Sequence, residues 1–232
     1  MMRNLAIRAQ EGEQMDSPDL PEPVYREVLG GLRRINAATL ANRPTLDFLS
    51  RAARRDRPFR LLDVGFGDGG MLRSIYRWSR RNGLQCALTG IDLNPRSEAV
   101  AKALHPARAP IAYRTGDYAD LAQEPWDFII SSLVAHHMSN AERLAFLDFM
   151  ERHASRGWFV NDLYRHAFAY HGFPLLARLL RVHPIVREDG QLSIARAFRP
   201  AEWSAMLGKA GLSGAARVKR YFPFRLCVER IR

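Results

Sequence analysis

A glycine-rich loop between a short apolar run and an amphipathic segment constrains the fold of this chain more than any other feature. The apolar run at residues 59–64 leads into glycines within residues 65–70, and apolar positions at helical spacing continue to about residue 82. Glycines in such a loop allow a tight turn and let backbone N–H groups approach a ligand closely. The sequence therefore predicts a strand, a ligand-binding turn and a helix at the start of a core domain.

Short apolar runs and amphipathic stretches alternate through most of the remaining chain. The further predicted strands are residues 86–91, 111–113, 126–131, 157–161, 215–221 and 224–231, and the further predicted core helices are residues 140–154 and 200–210. Such alternation is typical of a sheet covered by helices on both faces. We therefore predict an α/β fold with a doubly wound, seven-stranded, mostly parallel sheet whose final hairpin adds an antiparallel strand.

Two stretches depart from this alternation within the 232 residues, a length that suits one complete domain. Residues 1–57 begin with a polar, proline-containing arm of about 20 residues and continue with two amphipathic helical patterns. Residues 163–199 combine aromatic and aliphatic side chains with glycine and proline breaks. We predict a mobile arm and a helical cap at residues 1–57, a core domain at residues 58–232, and a lid inserted at about residues 163–199.

The glycine loop alone leaves two kinds of nucleotide cofactor open. Gly65, Gly67 and Gly70 satisfy the G-x-G-x-x-G pattern of dinucleotide-binding enzymes. Asp92 ends the second predicted strand 22 residues after Gly70, where a carboxylate can accept hydrogen bonds from both ribose hydroxyls. A nicotinamide-dependent oxidoreductase is therefore one interpretation.

The acidic residues around the loop are more discriminating. Asp63 lies two residues before the first glycine, and a Gly-Asp-Tyr sequence at residues 116–118 follows the third strand. With these motifs the chain resembles the class I S-adenosylmethionine-dependent methyltransferases. The resemblance implies that the glycine loop packs against the methionine part of that cofactor, that Asp92 holds the ribose and that Asp117 accepts a hydrogen from the adenine amino group. The cofactor-binding residues that it implies are Asp63, Gly65, Gly67, Gly69, Asp92, Leu93, Asp117, Tyr118 and Ser131.

Two adjacent histidines follow the fourth strand, at the edge where the transferred methyl group of such an enzyme would lie. His136 and His137 are the best candidates for a general base, because imidazole titrates near neutrality. Asp162 ends the neighbouring fifth strand, where it could orient an imidazole. This arrangement resembles small-molecule O-methyltransferases of secondary metabolism, and on that likeness we assign His136 as the base with Asp162 as its partner.

The lid offers the remaining candidates, and missing motifs narrow the acceptor class. The polar side chains predicted to contact substrate are Tyr164, Arg165, His166, Tyr170 and Arg196. The chain lacks the Asn/Asp-Pro-Pro-aromatic motif of adenine methyltransferases and the Pro-Cys motif of cytosine methyltransferases. It also lacks the acidic ligand set of metal-dependent catechol enzymes, so we expect no catalytic metal. The expected reaction is methylation of a hydroxyl on a hydrophobic, aromatic or polyketide-like small molecule, with C-methylation of a phenol or quinol ring as the nearest alternative.

The charge balance keeps a nucleic-acid partner open. Lys and Arg exceed Asp and Glu by 35 − 24 = 11 charges, and arginines cluster at residues 51–60 and 73–81. An RNA methyltransferase is therefore a second class of function, and a protein that binds the cofactor without turnover is a third. The two cysteines lack the spacing of a zinc site or a disulfide framework. No apolar run approaches a membrane span and no secretory signal is evident, so we expect a cytoplasmic protein and leave a homodimer open.

Overall fold

The fold is centred on one sheet, as seen in a computed structural model that describes residues 4–106 and 108–232. Its strands are β1 (Phe59–Val64), β2 (Cys86–Asp92), β3 (Ile111–Thr115), β4 (Trp126–Ser132), β5 (Ala154–Leu163), β6 (Arg217–Tyr221) and β7 (Arg225–Ile231). They lie in the order β3-β2-β1-β4-β5-β7-β6. The first five strands are parallel, and β7 pairs antiparallel with both β5 and β6. The predicted seven-stranded, mostly parallel sheet is confirmed.

Eight α-helices accompany this sheet within the described residues. They are α1 (Glu22–Ala38), α2 (Arg43–Ala52), α3 (Gly70–Arg81), α4 (Pro95–Ala103), α5 (Asn140–His153), α6 (Ala167–Leu179), α7 (Pro184–Arg196) and α8 (Pro200–Lys209). Local sequence explains several of their starts: Ser139 and Glu142 form a capping box at α5, and Asn94 caps α4. Among the described residues, none of these helices has both the length and the apolar character needed to cross a bilayer.

The apolar strands bury side chains on both faces of the sheet. In β5, for example, Trp158 and Val160 belong to one buried cluster and Phe159 to another. Because side chains alternate across a strand, these two clusters lie on opposite faces of the sheet. This two-sided burial explains why the strands read as continuous apolar runs, and it fixes the edge at which the parallel strands end.

The N-terminal arm was predicted to be mobile, and that prediction is wrong for the part that the structure describes. Ala9 and Glu13 are buried, and a one-turn 3-10 helix follows at Gln14–Asp16. The carboxylate of Asp189 in α7 accepts hydrogen bonds from the backbone N–H groups of Gln14 and Met15 at 3.0 and 2.9 Å. Contacts with residues about 175 positions away in the chain order this arm. A local sequence pattern cannot reveal such distant partners.

The inserted segment after β5 forms the helical pair α6 and α7. The ring of Phe173 in α6 packs so closely on Gly190 in α7 that a Cβ at Gly190 would lie 2.2 Å from it. Other apolar side chains of α6 remain exposed, including Phe168 at 78% and Leu179 at 78%. The stripe seen in the sequence therefore divides into a packed part and a part that faces outward.

Candidate functional site

A cavity of about 1040 Å³ lies at the edge of the sheet where the parallel strands end. Its wall combines the glycine loop after β1, the end of β2 and the loop after β4 with parts of α1, α6 and α7. The N-terminal segment adds Glu13 and Asp16, and the start of β7 adds Arg225. Elements from across the whole chain thus enclose one large, mostly apolar space.

Two of the loop glycines meet the cavity, and the third does not. Gly65 and Gly67 line the cavity with φ angles of 77° and 55°. A Cβ at Gly65 would come within 2.3 Å of Val134, so that position requires glycine. Gly69 instead packs against the ring of Tyr113, which a Cβ would approach to 2.8 Å. In this structure Gly69 leaves room for the Tyr113 ring, and its contact with the cofactor stays a prediction.

Asp63 lies directly behind the glycine loop with a carboxylate that lacks partners. The residue is 1% exposed, and within the described residues neither of its oxygens has a hydrogen-bond partner. Burial first, and then the Asp92 carboxylate, raise the pKa of Asp63 well above its usual range. A cationic group bound near the loop would relieve this cost. S-adenosylmethionine carries an ammonium and a sulfonium, so the residues present fit that cofactor.

Asp92, at the end of β2, lines the cavity, and hydrogen bonds fix the position of its carboxylate. Its oxygens accept hydrogen bonds from the backbone N–H groups of Gly67 and Asn94, both at 2.9 Å. Burial raises the pKa of Asp92, while these backbone donors oppose the rise. The next residue, Leu93, is 75% exposed and lines the same cavity. An exposed apolar side chain beside a fixed acceptor suits an adenosine-like group.

Three other predicted cofactor residues take different places. Tyr118 lines the cavity and packs on Phe146 and Phe149. Asp117 is exposed and outside the cavity lining, and its side chain accepts a hydrogen bond from the Ala119 N–H at 2.9 Å. Ser131 is buried in the sheet and donates its hydroxyl hydrogen to the Val64 carbonyl at 3.0 Å. Asp117 and Ser131 therefore have structural partners, and Ser132 rather than Ser131 reaches the cavity wall.

His136 and Asp162 meet as predicted. Nδ1 of His136 lies 2.7 Å from Oδ1 of Asp162, and the other carboxylate oxygen accepts the backbone N–H of His136 at 2.9 Å. Nε2 of His136 faces Oε1 of Glu13 at 3.6 Å. Burial lowers the pKa of His136, but the Asp162 and Glu13 carboxylates outweigh burial and raise it to about 9. The pKa of Asp162 is correspondingly lowered by His136 despite burial.

His137 forms a second imidazole–carboxylate pair with the N-terminal segment. Nδ1 of His137 lies 3.0 Å from Oδ2 of Asp16, and its Nε2 lies 3.8 Å from Oε1 of Glu13. Its side chain is 28% exposed, whereas that of His136 is 3% exposed. The two rings are 4.2 Å apart between centroids. Glu13 thus faces both imidazoles. The polar sequence around Glu13 contains no local signal that predicts this position.

The same three side chains could hold a metal ion by their donor types and spacing, since one donor atom from each of Glu13, His136 and His137 lies within 4.8 Å of the others. Two neighbours oppose a cation at this point. The guanidinium Nη1 of Arg196 lies 3.6 Å from Oε1 of Glu13, and the Ser193 hydroxyl donates to the same oxygen at 2.8 Å. A positive charge beside the shared ligand favours an ion-pair network over a metal centre.

The five predicted substrate contacts lie outside the lining of the cavity in the described structure. Arg165 is 2% exposed and donates to the carbonyls of Leu5 and Ala197 and to the carboxylate of Glu202. His166 caps α6 through its Nδ1, and Tyr164 lies beside it. The Tyr170 carbonyl accepts a hydrogen bond from Gln191 at 3.1 Å, and Nη1 of Arg196 lies 3.6 Å from Oε1 of Glu13. Substrate contacts at Tyr164, Arg165, His166, Tyr170 and Arg196 therefore stay a prediction, for residues outside the cavity lining. The lining from α6 is instead Phe168, Ala169, Gly172, Phe173 and Leu176.

Comparison with known families places a methyltransferase domain at the centre of the chain. Residues 61–157 match a family described as "Methyltransferase domain". These residues contain the glycine loop, the ends of β2 and β4, and both histidines. A search among curated proteins gives no significant match by sequence.

Solved structures of methyltransferases share the fold at low sequence identity. The plantazolicin methyltransferase BpumL, solved with S-adenosylhomocysteine (SAH), is 14% identical with a TM-score of 0.65, and the alignment covers 90% of each chain. Magnesium protoporphyrin IX methyltransferase from Synechocystis PCC 6803 is 16% identical with a TM-score of 0.55, covering 94% of this chain and 91% of that one. Human N-acetylserotonin methyltransferase is 15% identical with a TM-score of 0.61, covering 91% and 56%.

Proposed function

We propose that this chain, whose residues 61–157 match a methyltransferase domain, is a class I S-adenosylmethionine-dependent enzyme that methylates a hydroxyl group of a hydrophobic aromatic small molecule, with His136 as the general base. The observation that carries this proposal is that His136, paired with the buried Asp162, lines the same cavity as the glycine loop and Asp92. Such a cavity has room for a cofactor and an acceptor side by side.

The residues that would hold the cofactor follow the loop and the end of β2. Gly65 and Gly67 would lie against its methionine part, the Asp63 carboxylate would offset its positive charge, and Asp92 would accept from the ribose hydroxyls. Leu93 and Tyr118 would flank the adenine, and Asp117 would accept a hydrogen bond from the adenine amino group. When bound, S-adenosylmethionine supplies a methyl group on a sulfonium, which leaves as a neutral thioether.

His136 would accept the proton of the acceptor hydroxyl. Asp162 fixes the ring and favours the protonated product, so Nε2 is the atom that receives the proton. The oxygen of the acceptor forms the new bond to the methyl carbon as its O–H bond is lost to Nε2. The protein therefore has to align the acceptor oxygen with the methyl carbon, which is catalysis by proximity. It also has to take up the proton, which is general base catalysis.

Two features favour a phenolic hydroxyl over an alcohol. Phe173, Leu176 and Phe168 give the acceptor side of the cavity an apolar wall. In addition, a His136 pKa of about 9 lies close to the ~10 of a phenol, so proton transfer between them is nearly balanced. C-methylation of a phenol or quinol ring would use the same deprotonation and is the second candidate. The structural neighbours named for plantazolicin, magnesium protoporphyrin IX and N-acetylserotonin support a small-molecule acceptor.

A screen of phenolic and quinol acceptors with S-adenosylmethionine tests the proposal, with product mass identifying the methylated atom. In His136→Ala and the larger His136→Gln, we expect turnover to fall by about 10² to 10⁴ while SAH affinity stays within about threefold, because the base acts in the transition state. His171→Ala provides a control, since His171 is exposed on α6 outside the cavity lining. Unchanged turnover in both His136 variants would overturn the assignment.

A further inference from the structure

The first residue of β7 brings a cation to the edge of the cavity. Arg225 is 3% exposed and belongs to the cavity wall. Because β7 runs antiparallel to β5, its start lies at the edge where the parallel strands end, and Arg225 pairs in register with Leu163, one residue after Asp162. No sequence motif marks this arginine, because a single basic residue at the start of a strand forms no recognisable pattern.

The guanidinium of Arg225 is poorly satisfied by the described protein. No carboxylate of the described residues forms an ion pair with it, and its Nη1 has no hydrogen-bond partner among them. Its Nη2 lies 3.4 Å from Oδ1 of Asn36, a long contact. Burial lowers the pKa of Arg225, and the electrostatic effects of Cys227 and Asp162 oppose this. A buried cation without an anion is costly, so a partner from outside the chain would stabilise it.

Arg165, an equally buried arginine, shows the contrast. Its guanidinium donates at 2.6 Å to the Ala197 carbonyl and at 2.7 Å to the Glu202 carboxylate. Arg165 is therefore satisfied within the fold and lies outside the cavity lining, whereas Arg225 lines the cavity and is not satisfied. The difference points to a ligand at Arg225 rather than to a structural ion pair.

We propose that Arg225, with Asn36 beside it, binds a carboxylate group of the methyl acceptor. This inference rests on the proposed function, which supplies the assumption that the ligand is the methyl acceptor. It adds that this acceptor is an aromatic hydroxy acid. The planar guanidinium matches a carboxylate with two parallel hydrogen bonds. The apolar neighbours Leu163, Pro223 and Phe224 would lie beside the aromatic body of such a molecule.

The position of Arg225 in the sheet separates it from the cofactor end of the cavity. The glycine loop follows β1, and the sheet order places β4 and β5 between β1 and β7. Three strand spacings of ~4.8 Å amount to about 14 Å along the sheet. The carboxylate that Arg225 recognises is therefore assigned to the acceptor rather than to the methionine tail of S-adenosylmethionine.

Binding of matched aromatic pairs tests this without requiring turnover. Calorimetry in the presence of SAH would compare hydroxybenzoic, hydroxynaphthoic and hydroxybiphenyl carboxylic acids with the corresponding neutral amides. We expect the native protein to prefer at least one acid over its amide by about tenfold or more, and Arg225→Met to reduce that preference to within about twofold. Arg33→Met is the matched control, since Arg33 lines the same cavity but is half exposed beside Asp68 at 3.4 Å. It should retain the preference.

Four binding results would overturn the proposal. They are a native protein that binds no acid more tightly than its amide, a preference that persists in Arg225→Met, and a preference that Arg33→Met abolishes. The fourth is a weakening of SAH binding by Arg225→Met while 5′-methylthioadenosine, which lacks the amino-acid carboxylate, binds as before. That pattern would assign the site to the cofactor.

Thermal unfolding without ligand separates a binding role from a structural one. Because Arg225 lacks a partner in the fold, Arg225→Met should unfold at the same temperature as the native protein or higher. A fall of more than about 5 °C would show that Arg225 stabilises the fold and would overturn the proposal. Failure of the methyl-transfer screen would leave these binding results unchanged, so the two proposals are distinguishable.

Discussion

At the residue scale, the charge state of one imidazole governs the proposed chemistry. His136 lies between Asp162 and Glu13, and those carboxylates raise its pKa to about 9 against the cost of burial. The guanidinium of Arg196 faces Glu13 from α7, and that of Arg8 donates to the His136 carbonyl at 2.7 Å. At neutral pH the ring is therefore mostly protonated, and only its neutral fraction can accept a proton.

The pH dependence of the reaction follows from this state. We expect kcat/KM to rise with pH, to reach half its maximum near pH 9 and to level off about one pH unit higher, because the neutral form of His136 becomes dominant only as the pH passes its pKa of about 9. Glu13→Gln removes one of the carboxylates that raise this pKa, so the midpoint should move to lower pH. A profile that is flat from pH 6 to 9 would contradict His136 as the base.

Stability should change with pH in the opposite direction. The folded pKa of His136 lies above the usual ~6.5 of an unfolded histidine. Its stabilising effect is therefore complete below about pH 6.5 and is lost as the pH rises through about 9. The conditions that activate His136 as a base thus weaken the ion pairs that hold it in place.

At the element scale, sequence periodicity predicted the strands and most helices but missed the segment that closes the site. The runs that became β1 and β4 were readable because burial on both faces gives continuous apolar stretches. Residues 9–16 are polar and aperiodic, and their order depends on contacts with α7. For the same reason Glu13 was missed, while His136 and Asp162 were found at strand ends, where local sequence and position in the sheet agree.

The anchoring of this N-terminal segment by Asp189 can be tested directly. Asp189→Ala removes the acceptor for two backbone N–H groups, those of Gln14 and Met15. The loss should cost about 1 to 3 kcal/mol locally, so hydrogen exchange at these amides should speed up about tenfold or more. Turnover should fall as well, because Glu13 and Asp16 lose their fixed positions beside the histidines.

Glu188→Ala serves as the control for that measurement. Glu188 is exposed, accepts a hydrogen bond from the side chain of Gln14 at 2.9 Å and lies 3.8 Å from Arg187, and none of the described hydrogen bonds joins it to the backbone of residues 14 and 15. Its loss should leave exchange at Gln14 and Met15 within about twofold. Equal exchange in the Asp189 and Glu188 variants would show that the segment is held by other contacts.

At the scale of the whole molecule, the basic residues behind the formal charge of +11 differ in how far nearby carboxylates neutralise them. Most arginines of the cluster at residues 51–60 form ion pairs with nearby carboxylates. The ion pairs of arginines at residues 51–60, within 4.0 Å, include Arg51–Asp47, Arg51–Glu229, Arg54–Asp56, Arg57–Asp127 and Arg60–Glu124. The exposed pairs among them contribute little to stability, but all of them reduce the positive field that an RNA would meet. Arg225 in the cavity is the opposite case, a buried cation without a paired anion among the described residues.

Salt should therefore separate surface binding from binding in the cavity. Contacts between surface arginines and phosphates release counterions and weaken steeply with ionic strength, whereas a buried ion pair is screened far less. Between 50 and 200 mM salt, we expect any binding of a 20-nucleotide RNA to fall about tenfold or more. Over the same range the affinity for an aromatic hydroxy acid, measured with SAH present, should change by less than about threefold. Methyl incorporation into RNA, or an acid affinity that falls as steeply as that for RNA, would instead place the anion-binding arginines on the surface and favour a nucleic-acid acceptor.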